Sequence, residues 1–206
     1  AMLKRVLIAN RGEIALRILR SCREAGIETV AVYSEADRDA LHVQLATHSV
    51  CIGPARAADS YLSQTAILTA ALATGCDGIH PGYGFLSENA DFAGACAQAG
   101  LVFIGPPGDV IRRAGAKSAA RTMMRQAHVP VTPGSGGPVH SEAEALAAAE
   151  RVGYPVMLKA SAGGGGRGIR RCAGPEELPA ALKEARAEAQ ACFGDGEMYL
   201  EKLVLQ

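Results

Sequence analysis

The first hundred residues alternate short apolar runs with amphipathic ones, and few chain topologies accommodate that alternation. Residues 3–9 read as a strand. Residues 13–25 read as a helix with Ala15, Ile18, Leu19 and Cys22 on one face and Arg17, Arg20 and Glu24 on the other. Strands follow at 28–33 and 50–52, then a helix at 63–74 and a short strand at 78–79. A helix at 91–98, opened by Ser87-Glu88-Asn89 and closed by Gly100, leads to a strand at 101–104. Short strands separated by helices predict an α/β unit with a parallel, doubly wound sheet. Pro106-Pro107 closes that unit.

The pattern then changes. Short helices are predicted at 109–113 and 118–127, and residues 130–138 hold too many breakers for a regular element and read as a linker. Ser141 and Glu144 have the spacing of a capping box, which predicts a helix over 142–152. After a short buried strand at 154–158 comes Lys159-Ala160-Ser161-Ala162-Gly163-Gly164-Gly165-Gly166-Arg167-Gly168, and then a return strand at 168–172. A helix starts near Gly174-Pro175-Glu176-Glu177, with Pro179 late enough to shift its start, and residues 198–204 form a last strand.

The glycine hairpin carries the first functional signal. Four successive glycines cost backbone entropy on ordering and give up the side-chain contacts that would offset it. Close approach of backbone N–H groups to an anion, with Lys159 and Arg167 at the ends, is the physical reason to keep such a loop. It reads as a phosphate-covering flap, against the plainer reading of a flexible turn with basic flanks. P-loop spacing is absent, and no helix follows the loop.

Composition narrows the partners. Lys plus Arg and Asp plus Glu are equal at 21 each, so there is no global electrostatic case for nucleic acid or an anionic membrane. The first residues do not read as a signal peptide, and no apolar run is long enough to span a bilayer, so a cytoplasmic location is expected. Six cysteines are scattered through apolar surroundings without a Cys-x-x-Cys or Cys/His cluster. Buried free thiols are expected, with no metal site built on them.

Three other stretches could carry chemistry. Asn10-Arg11-Gly12-Glu13 lies at the first strand-to-helix turn but has one glycine, which favours a tight turn over a dinucleotide fingerprint. The stretch from His80 to Asn89 sits at the carboxyl end of a strand, where ligands collect, although a plain loop has the same spacing. Lys117 at a helix start could reach a phosphate or be merely solvated. Glu201 and Lys202, neighbours in a strand, should face opposite ways.

Together, Ile8-Ala9-Asn10-Arg11-Gly12-Glu13-Ile14-Ala15, Ala31-Val32-Tyr33-Ser34 with Asp37, the stretch His80 to Asn89 and the Lys159 hairpin closely resemble the biotin carboxylase family. This is the ATP-grasp component of acetyl-CoA carboxylase and related biotin-dependent carboxylases, and the match runs in order from Leu3 to Leu203. The resemblance implies a Rossmann-like pre-ATP-grasp domain over 1–115 and the first part of an ATP-grasp domain over 116–206. It implies that Lys117 and Lys159 neutralise phosphate oxygens of ATP. Gly163, Gly164, Gly165, Gly166 and Gly168 would close over the triphosphate, and Glu201, Lys202 and the backbone of Leu203 would frame the adenine. Tyr83 and Gly84 would border the biotin cavity, and Arg20 and Glu24 would lie at a homodimer interface. Biotin would arrive on a carboxyl carrier protein or domain, with a carboxyltransferase as further partner.

The family loop usually continues its glycines through the position of Ala162. The resemblance also implies that the magnesium ligands and the catalytic residues lie beyond the matched region, so no catalytic residue is assigned here and the chain is read as a fragment that cannot turn over alone. Another ATP-grasp ligase is a rival reading, opposed by the His80 to Asn89 stretch. A non-catalytic nucleotide-binding or dimerisation module is a rival of a different class.

Overall fold

A computed structural model describes residues 3–115, 117–162 and 166–205. The chain divides into two compact units, residues 1–112 and 113–206.

The first unit is a five-stranded parallel sheet in the order β3-β2-β1-β4-β5. Its elements are β1 (Arg5–Ile8), α1 (Gly12–Glu24), β2 (Glu28–Ser34), α2 (Leu41–Leu45), β3 (His48–Gly53), α3 (Gln64–Ala73), β4 (Gly78–His80), α4 (Ala90–Gln98) and β5 (Val102–Phe103). β1 is apolar at nearly every position because both of its faces are covered. Val6 and Ile8 pack with Ala15, Ile18, Leu19 and Cys22 of α1, while Leu7 and Ala9 join Ile67 and Ala70 of α3 and Phe92 and Cys96 of α4. The helix α2 has no counterpart among the sequence expectations, because five residues are too few to show a helical period.

Among the elements after β5, α5 (Gly108–Gly115) spans the division between the units. The second unit holds α6 (Lys117–Gln126), α7 (Glu142–Val152), β6 (Val156–Ala160), β7 (Ile169–Cys172), α8 (Leu178–Phe193) and β8 (Met198–Lys202). The three strands form an antiparallel sheet in the order β7-β6-β8. One face, with Val156, Leu158, Ala160, Met198 and Leu200, is sealed by Ala145, Ala148 and Ala149 of α7 and Leu178, Leu182 and Ala185 of α8. The Ser141 hydroxyl accepts from the Glu144 N–H, and the Glu144 carboxylate accepts in return from His140 N–H, which fixes the start of α7.

Several expectations need correction. The strand predicted at 154–158 runs two residues further, so Lys159 belongs to β6 and not to the loop. Pro179 occupies the first turn of α8, and the helix accordingly begins at Leu178. The linker over 130–138 runs beside β8, making a bridge between Gly134 and Glu201. Four of the six free cysteines are buried, but Cys51 and Cys192 are exposed, because Cys51 lies on the edge strand β3 and Cys192 in the last turn of α8.

Candidate functional site

In the second unit the antiparallel register decides which side chains meet. Lys159 lies opposite Tyr199, and Glu201 opposite Met157, so Lys159, Tyr199 and Glu201 share the sheet face turned away from α7 and α8. Lys159 Nζ donates to Glu201 Oε2 at 2.9 Å. Arg121 of α6 donates to the other carboxylate oxygen, Oε1, also at 2.9 Å. The Arg121 guanidinium additionally donates to Thr132 O and lies 5.8 Å from the centroid of the Tyr199 ring. Burial, reinforced by the Glu201 charge, pushes the Tyr199 hydroxyl up to about 12.

Lys202 faces the other way, as neighbouring strand residues must. Its ammonium donates to Gly153 O at 2.8 Å and Tyr154 O at 2.7 Å, just past the end of α7. The Leu203 N–H donates to Pro155 O at 3.0 Å, so a ligand approaching that backbone meets the carbonyl. Lys117 is the first residue of α6.

Of the flap, Gly163, Gly164 and Gly165 lie outside the described residues. Gly166 and Gly168 both have positive φ. A Cβ on Gly168 would come within 2.9 Å of the Ala160 Cβ, so only glycine fits there. The Gly168 N–H donates to Glu188 Oε2 at 3.1 Å, and Arg170 donates to the same oxygen at 2.9 Å, which ties the return strand to α8. These two donors hold the Glu188 carboxyl below its ordinary value, the Gly168 N–H foremost.

In the first unit the carboxyl ends of β1 and β4 form the switch point of the sheet, since strand order runs outward in both directions from there. The side chain of Asn10, only 2% exposed, enters this crevice. It donates to Pro81 O at 2.8 Å and Tyr83 O at 2.7 Å, and its oxygen accepts the Arg11 N–H. Asn10 therefore shapes the turn that contains Tyr83 and Gly84, where Gly82, Gly84 and Phe85 all have positive φ. The Tyr83 hydroxyl, on an exposed ring, donates to Glu13 Oε1 at 2.6 Å. The hydrogen bond to the Glu13 carboxylate holds that hydroxyl protonated, pushing its pKa up from the ordinary phenol value. Arg20 and Glu24 are exposed on α1. Replacing Asn10 by alanine leaves two carbonyls without their donor and is expected to cost about 2 kcal/mol in urea denaturation of the first unit.

Sequence reasoning singled out Lys159, Glu201 and the His80 turn, but missed Arg121 and the role of Asn10 within its motif. Nothing local marks Arg121, an ordinary basic residue on an amphipathic helix, and its partner lies 80 positions away. A groove of about 780 Å3 elsewhere in the second unit, lined by Val139, Leu182, Lys183 and Arg186 among others, contains none of the predicted residues.

Residues 2–111 match the family described as biotin carboxylase, N-terminal domain. Residues 116–206 match the carbamoyl-phosphate synthase L chain, ATP binding domain. The chain is 55% identical over 203 residues to biotin carboxylase 1 of Bacillus subtilis, covering 98% of this chain and 45% of that protein. Against the biotin carboxylase of Pseudomonas aeruginosa it is 56% identical over 204 residues, with the same shares covered. The chain thus spans a little under half the length of these relatives. Among solved structures, the Campylobacter jejuni biotin carboxylase-beta-gamma-ATP complex superposes with a TM-score of 0.95 at 48% identity, covering 99% of this chain and 46% of that one. The biotin carboxylase domain dimer of Hydrogenobacter thermophilus 2-oxoglutarate carboxylase, in complex with MgADP, ADP and bicarbonate, gives 0.93 at 48% identity, covering 99% and 45%.

Proposed function

Since this chain belongs to the biotin carboxylase family, we propose that it is the amino-terminal portion of an enzyme that uses ATP and bicarbonate to carboxylate biotin on a carrier protein, the first step of acetyl-CoA or related acyl-CoA carboxylation. Residues 1–115 serve as the pre-ATP-grasp domain and 116–206 as the first part of the ATP-grasp domain. The carrying observation is the shared face of β6 and β8, where Lys159 stands at the edge of the glycine flap and against the Glu201 carboxylate. Lys117 and Lys159 neutralise phosphate oxygens, and Gly163 to Gly168 cover them. Glu201, Lys202 and the backbone of Leu203 frame the adenine, Lys202 being held by Gly153 O and Tyr154 O. The Tyr83–Gly84 turn borders the biotin.

The residues at hand fit a polyphosphate, because two cations face one carboxylate beside a loop with few side chains. Among the described residues no group of three or more His, Cys, Asp or Glu side chains converges. The magnesium ligands and catalytic groups belong to the part of the relatives' length that this chain does not span, and the chain alone is expected not to turn over. The exposed Arg20 and Glu24 support homodimerisation through α1, with a carboxyl carrier and a carboxyltransferase as partners. A cytoplasmic location belongs to the same proposal; among the described residues no helix is long and apolar enough to cross a membrane.

Two measurements test this reading. ATP cleavage by the protein carried to its relatives' full length should depend on bicarbonate and rise with free biotin; no stimulation by biotin would sink the assignment. Calorimetry on the present chain should find ATP affinity weaker than micromolar, and tighter binding would mean that the remaining half contributes little.

A further inference from the structure

Glu201 is shared. Its two oxygens hold Lys159 on one side and Arg121 on the other, and its side chain is 12% exposed. Two cations against one carboxylate leave one positive charge in the cluster. The cations are not equivalent. Arg121 is fixed by three contacts, with the Glu201 carboxylate, Thr132 O and the Tyr199 ring. The linker packs against it closely, since a Cβ on Gly134 would stand 2.9 Å from its terminal nitrogen and 2.4 Å from Leu200 O. Lys159 has the more exposed side chain, 32% against 21% for Arg121, and Glu201 supplies its ion pair.

We infer that Arg121 is a positioning residue for the triphosphate: it neutralises Glu201 from behind, so that the ammonium of Lys159 can leave the carboxylate and pair with phosphate oxygens. With Arg121 gone, Lys159 and Glu201 form a neutral pair, and an incoming phosphate must break it and strand a largely buried carboxylate. With Arg121 present, that carboxylate keeps a partner when Lys159 moves. Arg121 need not touch the ligand. The inference rests on the phosphate role proposed for Lys159 and adds to it the group that makes the lysine available.

The test follows acylation of Lys159 by an acetyl N-hydroxysuccinimide ester, read by peptide mass spectrometry, as inorganic tripolyphosphate is added to the 206-residue chain. For Arg121→Gln the half-protecting concentration should rise at least about tenfold, since one unit charge several ångströms away at the dielectric of a protein surface is worth more than one factor of ten. Adenosine binding, followed by amide shifts, should not change. Arg121→Lys keeps the charge but loses the planar fork, and should protect close to wild type. Adding Glu201→Gln to Arg121→Gln restores one net positive charge and should recover the protection. A merely structural arginine predicts otherwise: Arg121→Lys would lose as much as Arg121→Gln, or the double variant would not recover, and either result overturns the inference. No protection of the wild-type lysine would instead overturn its phosphate role.

Discussion

Replacing Asp37 by alanine is expected to lower the stability of the first unit by about 3 kcal/mol, measured by urea denaturation. Asp37 lies just beyond the carboxyl end of β2, where one carboxylate serves three neighbours, Arg11, Tyr61 and the Ser34 hydroxyl. Arg11 donates from Nε at 2.6 Å to Oδ2 and from a terminal nitrogen at 2.5 Å to Oδ1, and the Tyr61 hydroxyl donates at 2.5 Å to Oδ2. Tyr61 in turn accepts the Ser34 N–H at 2.9 Å and stacks on Phe85, the positive-φ residue of the His80 turn. The carboxylate thus links the first strand-to-helix turn to the turn proposed to border biotin. Arg11 is half exposed and can rehydrate once its partner is gone, so the lower end of the range for broken buried pairs applies.

The same site gives a pH dependence with a definite sign. The Arg11 guanidinium, aided by the Tyr61 hydroxyl, holds the Asp37 carboxyl down to about 2, below its ordinary 3.8. A carboxyl depressed in the folded state contributes stability above its unfolded value, and that contribution is lost as pH falls through the folded value. The wild-type first unit should therefore lose about 2 kcal/mol from this group between pH 5 and pH 2. Asp37→Asn should remove that component of the acid response. An unchanged acid profile in Asp37→Asn would mean that Asp37 does not couple to folding.

Lys159→Ala is expected to weaken ATP binding by at least about tenfold, through loss of one charge-assisted contact to phosphate, while leaving the fold intact. The two halves of that expectation have separate causes. The side chain of Lys159 is a third exposed, so its removal opens no cavity in the core formed by Leu158, Leu200 and α8. Glu201 does not become an orphan, because Arg121 still holds Oε1. Thermal stability should accordingly stay within about 1 kcal/mol of wild type. The ATP titration can be followed by the amide shifts of Met157 and Tyr199, which flank the lysine in the sheet. An unchanged ATP affinity would remove Lys159 from the phosphate site.

Much of this was legible locally. The apolar run of β1, the face of α1 carrying Ala15, Ile18, Leu19 and Cys22, and the Ser141 cap are short-range properties, and each appears where the periodicity and capping residues put it. The strings around Asn10, His80 and the glycine hairpin were enough to point to the family, because rare residues at fixed spacing survive without any knowledge of packing. Neighbouring positions in a strand face opposite ways whatever the fold, which is why Glu201 and Lys202 could be separated in advance.

Pairings between distant residues were not legible. That Lys159 lies in β6, diagonal to Glu201, depends on the antiparallel register with β8, and a slip of one residue would have put it among the alanines of α7. Arg121 reaches Glu201 because the linker beside β8 brings α6 to that face of the sheet. Arg11, Asp37 and Tyr61 meet because three parallel-sheet loops end on one side. Periodicity specifies which face of an element is buried. It carries no information about which charge on another element will stand opposite, because register and docking are set by packing across the whole unit.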